Sequence, residues 1–234
     1  MLRQFFGAKA PTDDRLLEVG EGETLPLGAH TLHFMLAPMV HWPEVMVAYE
    51  ETEKILFSAD AFGRFGSLGR TANAPWAPQA RRYYYNIVGK YGAQVQALLK
   101  KASALEIETI CPLHGPVLTG EALGEALRLY DLWSRWQSEA PEEILLAHAS
   151  IHGNTARAAE LLKQKLEAKG ARVTLCDLTT TEVSYAVANA FYCGKLVLAC
   201  STYDGGLFPP MEEFLSHLQA KGFRDRSVGL MENG

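Results

Sequence analysis

Four apolar segments, with helical segments between them, dominate the chain after Pro141. EILLAHAS (143–150) is a mostly apolar run typical of a strand buried on both faces, and ARVTLCDL, KLVLACS and RSVGLME follow it. NTARAAELLKQKLEAKG and PPMEEFLSHLQAKG, after the first and third runs, have the spacing and end signals of amphipathic helices. Strands alternating with helices predict a parallel sheet with right-handed crossovers, and few other folds accommodate this pattern.

The chain before residue 141 has a different pattern, with short strands and loops. VMVAYE and KILFSAD flank the polar turn EETE and together predict a β-hairpin. AQVQALLKKASAL and GEALGEALRLYDLWSRWQSEA predict amphipathic helices, the second of which we expect to end before Pro141. The change of pattern predicts two domains, 1–140 and 141–234.

Charge and cysteine usage exclude several classes of function. The net charge is -5, and no Lys/Arg run is dense enough to follow a phosphate backbone, so we expect no nucleic-acid partner. No apolar stretch reaches the roughly 18 residues of a membrane span, and the N-terminus lacks the features of a secretory signal. Four scattered cysteines without a C-x-x-C motif indicate reduced thiols. We therefore expect a cytoplasmic protein with no membrane partner.

The loop SIHGNT joins the first apolar run after Pro141 to its helix. It places Ser150, Gly153, Asn154 and Thr155 where hydroxyls and free backbone N–H groups converge at a helix N-terminus, which is a common anion site. The loop matches neither G-x-x-x-x-G-K-[ST] nor G-x-G-x-x-G, and it has no lysine. It suits a monophosphate held by neutral hydrogen bonds. The alternative is that Asn154 or Thr155 only caps the helix.

A second loop, STYDGG, follows the third run at the same end of the predicted sheet. Ligands of doubly wound sheets lie outside the carboxyl ends of the strands. Tyr203 is placed to stack on a flat ring, and Gly205 and Gly206 allow the loop to wrap around it. The alternative is a solvent-facing turn with an ordinary tyrosine. The two loops together predict a site for flavin mononucleotide (FMN).

SIHGNT and STYDGG resemble the phosphate loop and the aromatic loop of flavodoxin. The resemblance implies strand order 2-1-3-4-5 with FMN at the switch point, and a third FMN loop that begins at the last two residues of the chain. The fifth strand and last helix of that fold are absent from this sequence. The FMN contacts implied by the resemblance are Ser150, His152, Gly153, Asn154, Thr155, Ser201, Thr202, Tyr203, Asp204, Gly205, Asn233 and Gly234.

Three candidate metal ligands follow predicted strands in the first half. His41 and Asp60 come after successive strands, and His114 follows a third in CPLHGP. Imidazole and carboxylate ligands suit iron, zinc or manganese, and one carboxylate can bridge two ions. The alternative is that Asp60 caps a turn and the two histidines are ordinary polar loop residues.

APMVHWPEVMVAYEETEKILFSADAFG, ARRYYYNIVGKY, ICPLHGPVL and STYDGGLFPPM resemble segments of the flavodiiron proteins, also called A-type flavoproteins. The resemblance covers nearly the whole chain. It implies an α/β protein with a partial metallo-β-lactamase-like αββα domain, followed by a partial flavodoxin-like doubly wound parallel sheet. It also implies that His41 binds one iron, His114 the other, and Asp60 bridges them. The family's remaining ligands come from an H-x-E-x-D-H stretch that this sequence lacks, so we expect an incomplete site.

The resemblance further implies an oxidoreductase that uses FMN and two non-haem iron ions. A donor such as rubredoxin or a reductase reduces the flavin, and the diiron centre reduces O2 to water or NO to N2O. Full-length members form head-to-tail homodimers. Two alternatives stay open: an FMN-binding electron-transfer module without a working metal site, and a β-lactamase-superfamily metallo-hydrolase, which the missing histidine motif disfavours. We assign no catalytic residue beyond the metal ligands, and expect Trp42 and Tyr83, Tyr84 and Tyr85 to pack in the core or an interface.

Overall fold

The first half of the chain forms a six-stranded sheet with strands in sequential order. The structure is a computed structural model and describes residues 2–9, 11, 13–71 and 74–233. All neighbouring strands are antiparallel except β4 and β5, which pair in parallel. The predicted hairpin is confirmed as β3–β4. The strands are β1 (Thr24–Leu27), β2 (His30–Leu36), β3 (Met46–Glu50), β4 (Ile55–Phe57), β5 (Thr109–Cys111) and β6 (Leu118–Thr119).

Helices and helical turns occupy the connections of this half. A π-helical turn at Tyr84–Val88 directly extends α3, and 3₁₀ turns lie at Gly7–Lys9, Asp13–Arg15 and Gly89–Tyr91. The α-helices are α1 (Leu2–Phe6), α2 (Leu68–Thr71), α3 (Trp76–Tyr83), α4 (Gly92–Ala102) and α5 (Gly120–Ser134).

The second half contains the predicted parallel sheet. Its strands lie in the order β8-β7-β9-β11, which is 2-1-3-4 when counted along the chain, and β10 forms a short hairpin with β9. The strands are β7 (Ala140–Ala149), β8 (Val173–Asp177), β9 (Cys193–Tyr203), β10 (Gly206–Leu207) and β11 (Ser227–Asn233). The helices are α6 (Asn154–Glu167), α7 (Val183–Tyr192) and α8 (Pro209–Ala220).

Two features differ from the sequence-based expectation. The helix that we expected to continue up to Pro141 ends at Ser134, and Trp136 has a positive φ of 55° that the helix cannot accommodate. Pro141 lies inside β7 and has no backbone N–H group to donate to a neighbouring strand. The pairing of β7 with β9 is irregular between Ala140 and Ile144, so the ladder does not require that hydrogen bond. The expected domain boundary at 140/141 thus falls at the first residues of β7.

The larger of two hydrophobic core clusters in the described residues crosses from one half to the other. Tyr84 and Tyr85 of the π-helical turn are fully buried, and the ring of Tyr85 stacks on Phe191 of α7 at 4.0 Å between centroids. Beside them, Arg82 donates to the Ser184 hydroxyl at 2.6 Å. The expected packing role of the three tyrosines is confirmed, since Tyr83 is buried as well.

Trp42 does not share this role. Its side chain is 59% exposed, and its ring lies 5.3 Å from that of His41. Trp42 does not pack in the core, because it stands in an exposed loop between β2 and β3, and its packing in an interface stays a prediction.

Candidate functional site

Three loops bring His41, Asp60 and His114 together at one edge of the first sheet. Asp60 Oδ2 lies 3.5 Å from His41 Nε2, and Asp60 Oδ1 lies 3.2 Å from His114 Nε2. The Asp60 side chain is only 13% exposed. One nearly buried carboxylate therefore faces two imidazoles, each through a different oxygen.

The loops that carry Asp60 and His114 are tied to each other through the main chain. Leu113 N–H donates to the Ala59 carbonyl at 2.8 Å, and Arg64 N–H donates to the His114 carbonyl at 3.0 Å. Gly63 lies where they approach most closely, since a Cβ there would be 3.0 Å from the Asp60 carbonyl oxygen and 3.1 Å from that of His114. Pairing of β4 with β5 sets the loops side by side, and Gly63 allows the close approach.

Two aromatic residues of the core form hydrogen bonds with the backbone of the Asp60 loop. The Phe62 N–H donates to the Tyr130 hydroxyl at 2.6 Å, and the Trp76 indole N–H donates to the Phe62 carbonyl at 3.2 Å. Tyr130 is fully buried and Trp76 nearly so. Both backbone polar groups of Phe62, two residues after Asp60, are therefore held by hydrogen bonds.

The donor set fits two metal ions incompletely. Nitrogen and oxygen ligands bind such ions at about 2.0–2.2 Å, so two ligands of one ion lie roughly 3 Å apart, as the two pairs here do. Because the imidazoles face different carboxylate oxygens, each of two ions placed there would have only two of these ligands. Over residues 2–9, 11, 13–71 and 74–233, no group of three or more His, Cys, Asp or Glu residues is arranged to hold an ion.

The pair His30 and His33 does not join this site. His30 Nδ1 lies 3.1 Å from Glu50 Oε1, and His33 Nε2 lies 2.7 Å from Glu51 Oε2, on the strands and not at the loops. These two pairs are therefore separate from the cluster around Asp60.

An open cleft of about 520 Å³ leads to the Asp60 cluster. Its walls include Tyr83, whose ring lies 5.9 Å from that of His114. Burial, together with the nearby Asp60 carboxylate, raises the pKa of Tyr83, so this phenol stays protonated at neutral pH. The place of Tyr83 in the cleft could not be predicted, because a run of three tyrosines does not indicate which of them faces a cleft.

The predicted phosphate loop, which is the first of the two FMN loops, has the geometry of an open helix N-terminus. Gly153 occupies the position before α6 with φ of 84°, and its N–H donates to the Ser150 hydroxyl at 3.1 Å. Thr155 is buried, and its hydroxyl lies 2.9 Å from that of Ser201 in the second loop. Asn154 is exposed at the first residue of α6. The N-cap residue is Gly153, so capping does not account for Asn154 or Thr155.

The second loop lies beside the first at the carboxyl end of the sheet. β9 and β10 form a hairpin through Asp204 and Gly205, which have φ of 48° and 73°. Tyr203 is 52% exposed, and its ring centroid lies 5.8 Å from that of Phe208. Thr202 is exposed next to it, as is His152 in the first loop.

The third predicted FMN segment reaches the same edge. In the parallel ladder between β11 and β9, Asn233 stands opposite Ser201. Gly234 and the side chain of Asn233 lie outside the described residues. The structure thus brings the loops 150–155 and 201–205 and the backbone of Asn233 to one edge of the sheet.

Sequence reasoning missed His148, which lies two residues before the first loop. It is 3% exposed, and its Nδ1 stands 4.0 Å from Asp177 Oδ1 with no hydrogen-bond partner in the described part of the chain. Burial lowers the pKa of His148, although Asp177 and Glu160 oppose that shift. The signal available in the sequence was a histidine inside an otherwise apolar strand.

We expect His148 to make the protein less stable in acid. The unfolded chain binds the proton first, at about pH 6.5, so the free energy of unfolding falls as the pH drops below that value. His148→Gln removes this contribution. Urea unfolding at pH 7.5 and pH 5.5 measures the difference, with the exposed His152→Gln as control. Equal pH dependence of wild type and His148→Gln would contradict the expectation.

Comparisons with known proteins agree with this architecture. The model of the ODP family beta lactamase matches residues 2–115. Rubredoxin-oxygen oxidoreductase of Megalodesulfovibrio gigas is 26% identical over 89% of this chain and 53% of its own length. Diflavin flavoprotein A 1 of Synechocystis is 30% identical over 71% of this chain and 30% of its own length. The chain spans about a third to a half of these relatives.

Among solved structures, the flavodiiron protein from Giardia intestinalis superposes with a TM-score of 0.85 at 26% identity. The match covers 92% of this chain and 54% of the Giardia chain. In the described residues, no helix has the length and apolar character needed to cross a membrane.

Proposed function

Because this chain is homologous to the flavodiiron proteins and spans about half their length, we propose that it is the central part of a flavodiiron-type oxidoreductase. In this proposal the second half binds FMN, and the first half contributes ligands to two non-haem iron ions. The observation that carries it is the Asp60 carboxylate, which faces His41 and His114 through separate oxygens.

Each half would hold its cofactor through the groups described above. Free N–H groups at the start of α6 and the hydroxyls of Ser150 and Thr155 would bind the phosphate, and Tyr203 would cover the flavin ring. Asp60 would bridge the ions, with His41 on one and His114 on the other. When bound, the flavin and the iron would supply the redox chemistry for reduction of O2 or NO, with a donor such as rubredoxin or a reductase as the source of electrons.

The protein residues would orient these groups and control access to them. Gly63 and the Phe62 backbone hold the carboxylate in place without reacting. Tyr83 keeps a neutral hydroxyl in the cleft, where it can donate a hydrogen bond. The hydrophobic core that the two halves share joins the half with the flavin loops to the half with the metal loops.

The flavin half is tested by titrating the full chain with FMN and monitoring the quenching of flavin fluorescence. Tyr203→Ala is expected to weaken FMN binding by about 5- to 150-fold, the equivalent of the ~1–3 kcal/mol that stacking contributes. Tyr203→Phe is the matched control, because it keeps the ring and should bind as wild type does. Equal affinity of the alanine variant would count against Tyr203 as the stacking residue, and wild type without FMN affinity would refute the flavin site.

A second function is favoured by one observation. No group of three ligands is arranged around an ion in the described part of the chain, which favours an FMN-binding electron-transfer module without a working metal site. Elemental analysis and visible absorbance of the purified chain separate the two proposals. Iron together with FMN supports the oxidoreductase, and FMN without iron supports the module.

The partners and location that we infer follow from the same homology. We propose a redox partner that delivers electrons to the flavin, and a head-to-tail homodimer for the full-length protein. The four cysteines are free thiols, as expected in a reducing compartment. The cytoplasmic location stays a prediction.

A further inference from the structure

One arginine of the first half binds two residues at the start of α7 in the second half. Arg82 lies on α3 directly before Tyr83, and its side chain is 18% exposed. Its Nε donates to the Ser184 hydroxyl at 2.6 Å, and its Nη2 donates to Glu182 Oε2. Hydrogen bonds between charged groups are about twice as strong as those between neutral groups. This contact is therefore a strong polar link between the two halves.

The same guanidinium also lies over one aromatic ring from each half. Its Cζ is 3.9 Å from the ring centroid of Tyr185 on α7 and 4.9 Å from that of Phe65. Both distances are within the range of cation–π attraction. The Phe65 ring lies 5.2 Å from that of Tyr83, and both residues border the cleft that leads to the Asp60 cluster. Arg82 is thus in contact with both the cleft wall and α7.

The start of α7 belongs to the edge of the second sheet that carries the loops 150–155 and 201–205. α7 follows β8, which ends at Asp177 and is parallel to β7, so Glu182 comes after the carboxyl end of its strand as the other two loops do. Glu182 precedes α7 and accepts a hydrogen bond from Ser184 N–H at 3.4 Å. Its carboxylate therefore caps α7 and pairs with Arg82 at the same time.

Other contacts hold the two halves together when the Arg82 side chain is removed. Asn86 Nδ2 donates to the carbonyls of Arg82 and Ser184 at 2.8 and 3.1 Å, and the first bond needs only the backbone of residue 82. The stacked rings of Tyr85 and Phe191 remain as well. The guanidinium therefore adds a connection to the cleft wall beyond the packing that keeps the halves in contact, and we expect a variant without it to fold.

We propose that Arg82 is a latch between the carboxyl edge of the second sheet and the cleft, and that it holds Phe65 in the cleft wall while Glu182 is paired. Loosening the pair frees Phe65 and makes this wall of the cleft more mobile. The latch is sensitive to ionic strength, because the Glu182 side chain is 56% exposed and salt screens exposed charges. This role does not depend on whether a metal or a flavin is bound.

Amide hydrogen exchange of the full chain, followed by NMR, tests the latch. The reporter is the Arg64 amide, which neighbours Phe65 and donates to the His114 carbonyl at 3.0 Å. Arg82→Met should accelerate exchange at this amide by about tenfold, because loss of a charge-assisted hydrogen bond shifts a local opening equilibrium by about that factor. Glu182→Gln keeps an oxygen that can cap α7 but removes the charge, and should accelerate the same amide to a smaller extent.

Glu142→Gln is the matched control. Glu142 also carries an exposed carboxylate in an ion pair, with Lys195 Nζ at 2.7 Å, but both partners lie in the second half. We expect this variant to leave exchange at the Arg64 amide unchanged. The amides of α5 provide an internal reference, because α5 makes no contact with the latch residues, and their exchange should be equal in all variants.

Three results would overturn the proposal. Unchanged exchange at the Arg64 amide in Arg82→Met would show that the guanidinium does not hold the cleft wall. Faster exchange in Glu182→Gln at the Ser184 and Tyr185 amides alone would show a local effect on α7 without coupling to the cleft. Equal acceleration at the Arg64 amide and in α5 would show a general loss of stability. If Arg82→Met does not fold, Glu182→Gln decides the question, because it changes an exposed side chain.

Discussion

Asp60→Asn is expected to abolish metal binding at the cluster, with a loss of affinity beyond the 10- to 100-fold that removal of an outer partner causes. The carboxylate faces both imidazoles, at 3.5 and 3.2 Å, so a single substitution would affect both of the proposed ions. Asparagine keeps the shape but replaces one oxygen with an amide that carries protons and no charge. A neutral amide does not bridge two cations.

Co²⁺ titration of the full chain measures this effect. The control is Glu125→Gln, which removes an exposed carboxylate from α5 and should leave Co²⁺ binding unchanged. Urea unfolding of the metal-free proteins shows whether each variant is folded. An Asp60→Asn protein that is folded and binds Co²⁺ as tightly as wild type would refute the assignment of Asp60 as the shared ligand.

The second large effect concerns stability. Tyr85→Ala is expected to lower the free energy of unfolding by about 3–5 kcal/mol, as truncations of buried aromatic side chains do. Tyr85 has 0% exposure and stacks on Phe191 with ring planes within 9°. The substitution therefore leaves a cavity at the point where the two halves share their core.

Tyr85→Phe tests the contribution of the hydroxyl separately from that of the ring. The Tyr85 hydroxyl is buried and has no hydrogen-bond partner in the described part of the chain. Removing an unpaired polar group keeps the stacking and relieves a desolvation cost, so this variant should be as stable as wild type or more stable. Urea unfolding measures both variants. A phenylalanine variant destabilised as much as the alanine variant would reveal that the hydroxyl is paired in solution.

These two predictions concern neighbouring parts of the structure, the Asp60 cluster with its cleft and the buried core. Tyr84 and Tyr85 are buried in the core, while Tyr83 lines the cleft near His114. A π-helical turn begins at Tyr84, so these neighbouring tyrosines need not follow regular α-helical spacing. Such turns often occur at functional sites, and this one adjoins both the cleft and the contact with α7.

Much of the second half was predictable because its signals are local. A continuous apolar run marks β7, and glycine with hydroxyl residues directly after it marks the start of α6. The order of the strands followed from the resemblance to flavodoxin. α7 was missed because its sequence, VSYAVANAFY, is largely apolar and five of its ten residues are buried, which hides the helical period.

The candidate site was predictable only as a set of residue types. Histidine or aspartate after successive strands indicated metal ligands, and that inference used nothing but chain order. Arg64 carried no such signal, since an arginine four residues after an aspartate is ordinary in a loop. Its burial and its contact with Gly115 depend on a loop about fifty residues further along the chain.

By itself, the sequence determined the class of fold, the two halves and the loops of the candidate sites, because hydrophobic periodicity, turn residues and strand ends depend on neighbouring positions in the chain. Only the tertiary structure decided that His41 and His114 face different oxygens of Asp60, that Arg64 joins their loops, and that Tyr83 faces the cleft. The physical reason is the parallel pairing of β4 with β5, which brings together segments more than fifty residues apart. Contacts between such distant segments leave no periodic trace in the chain.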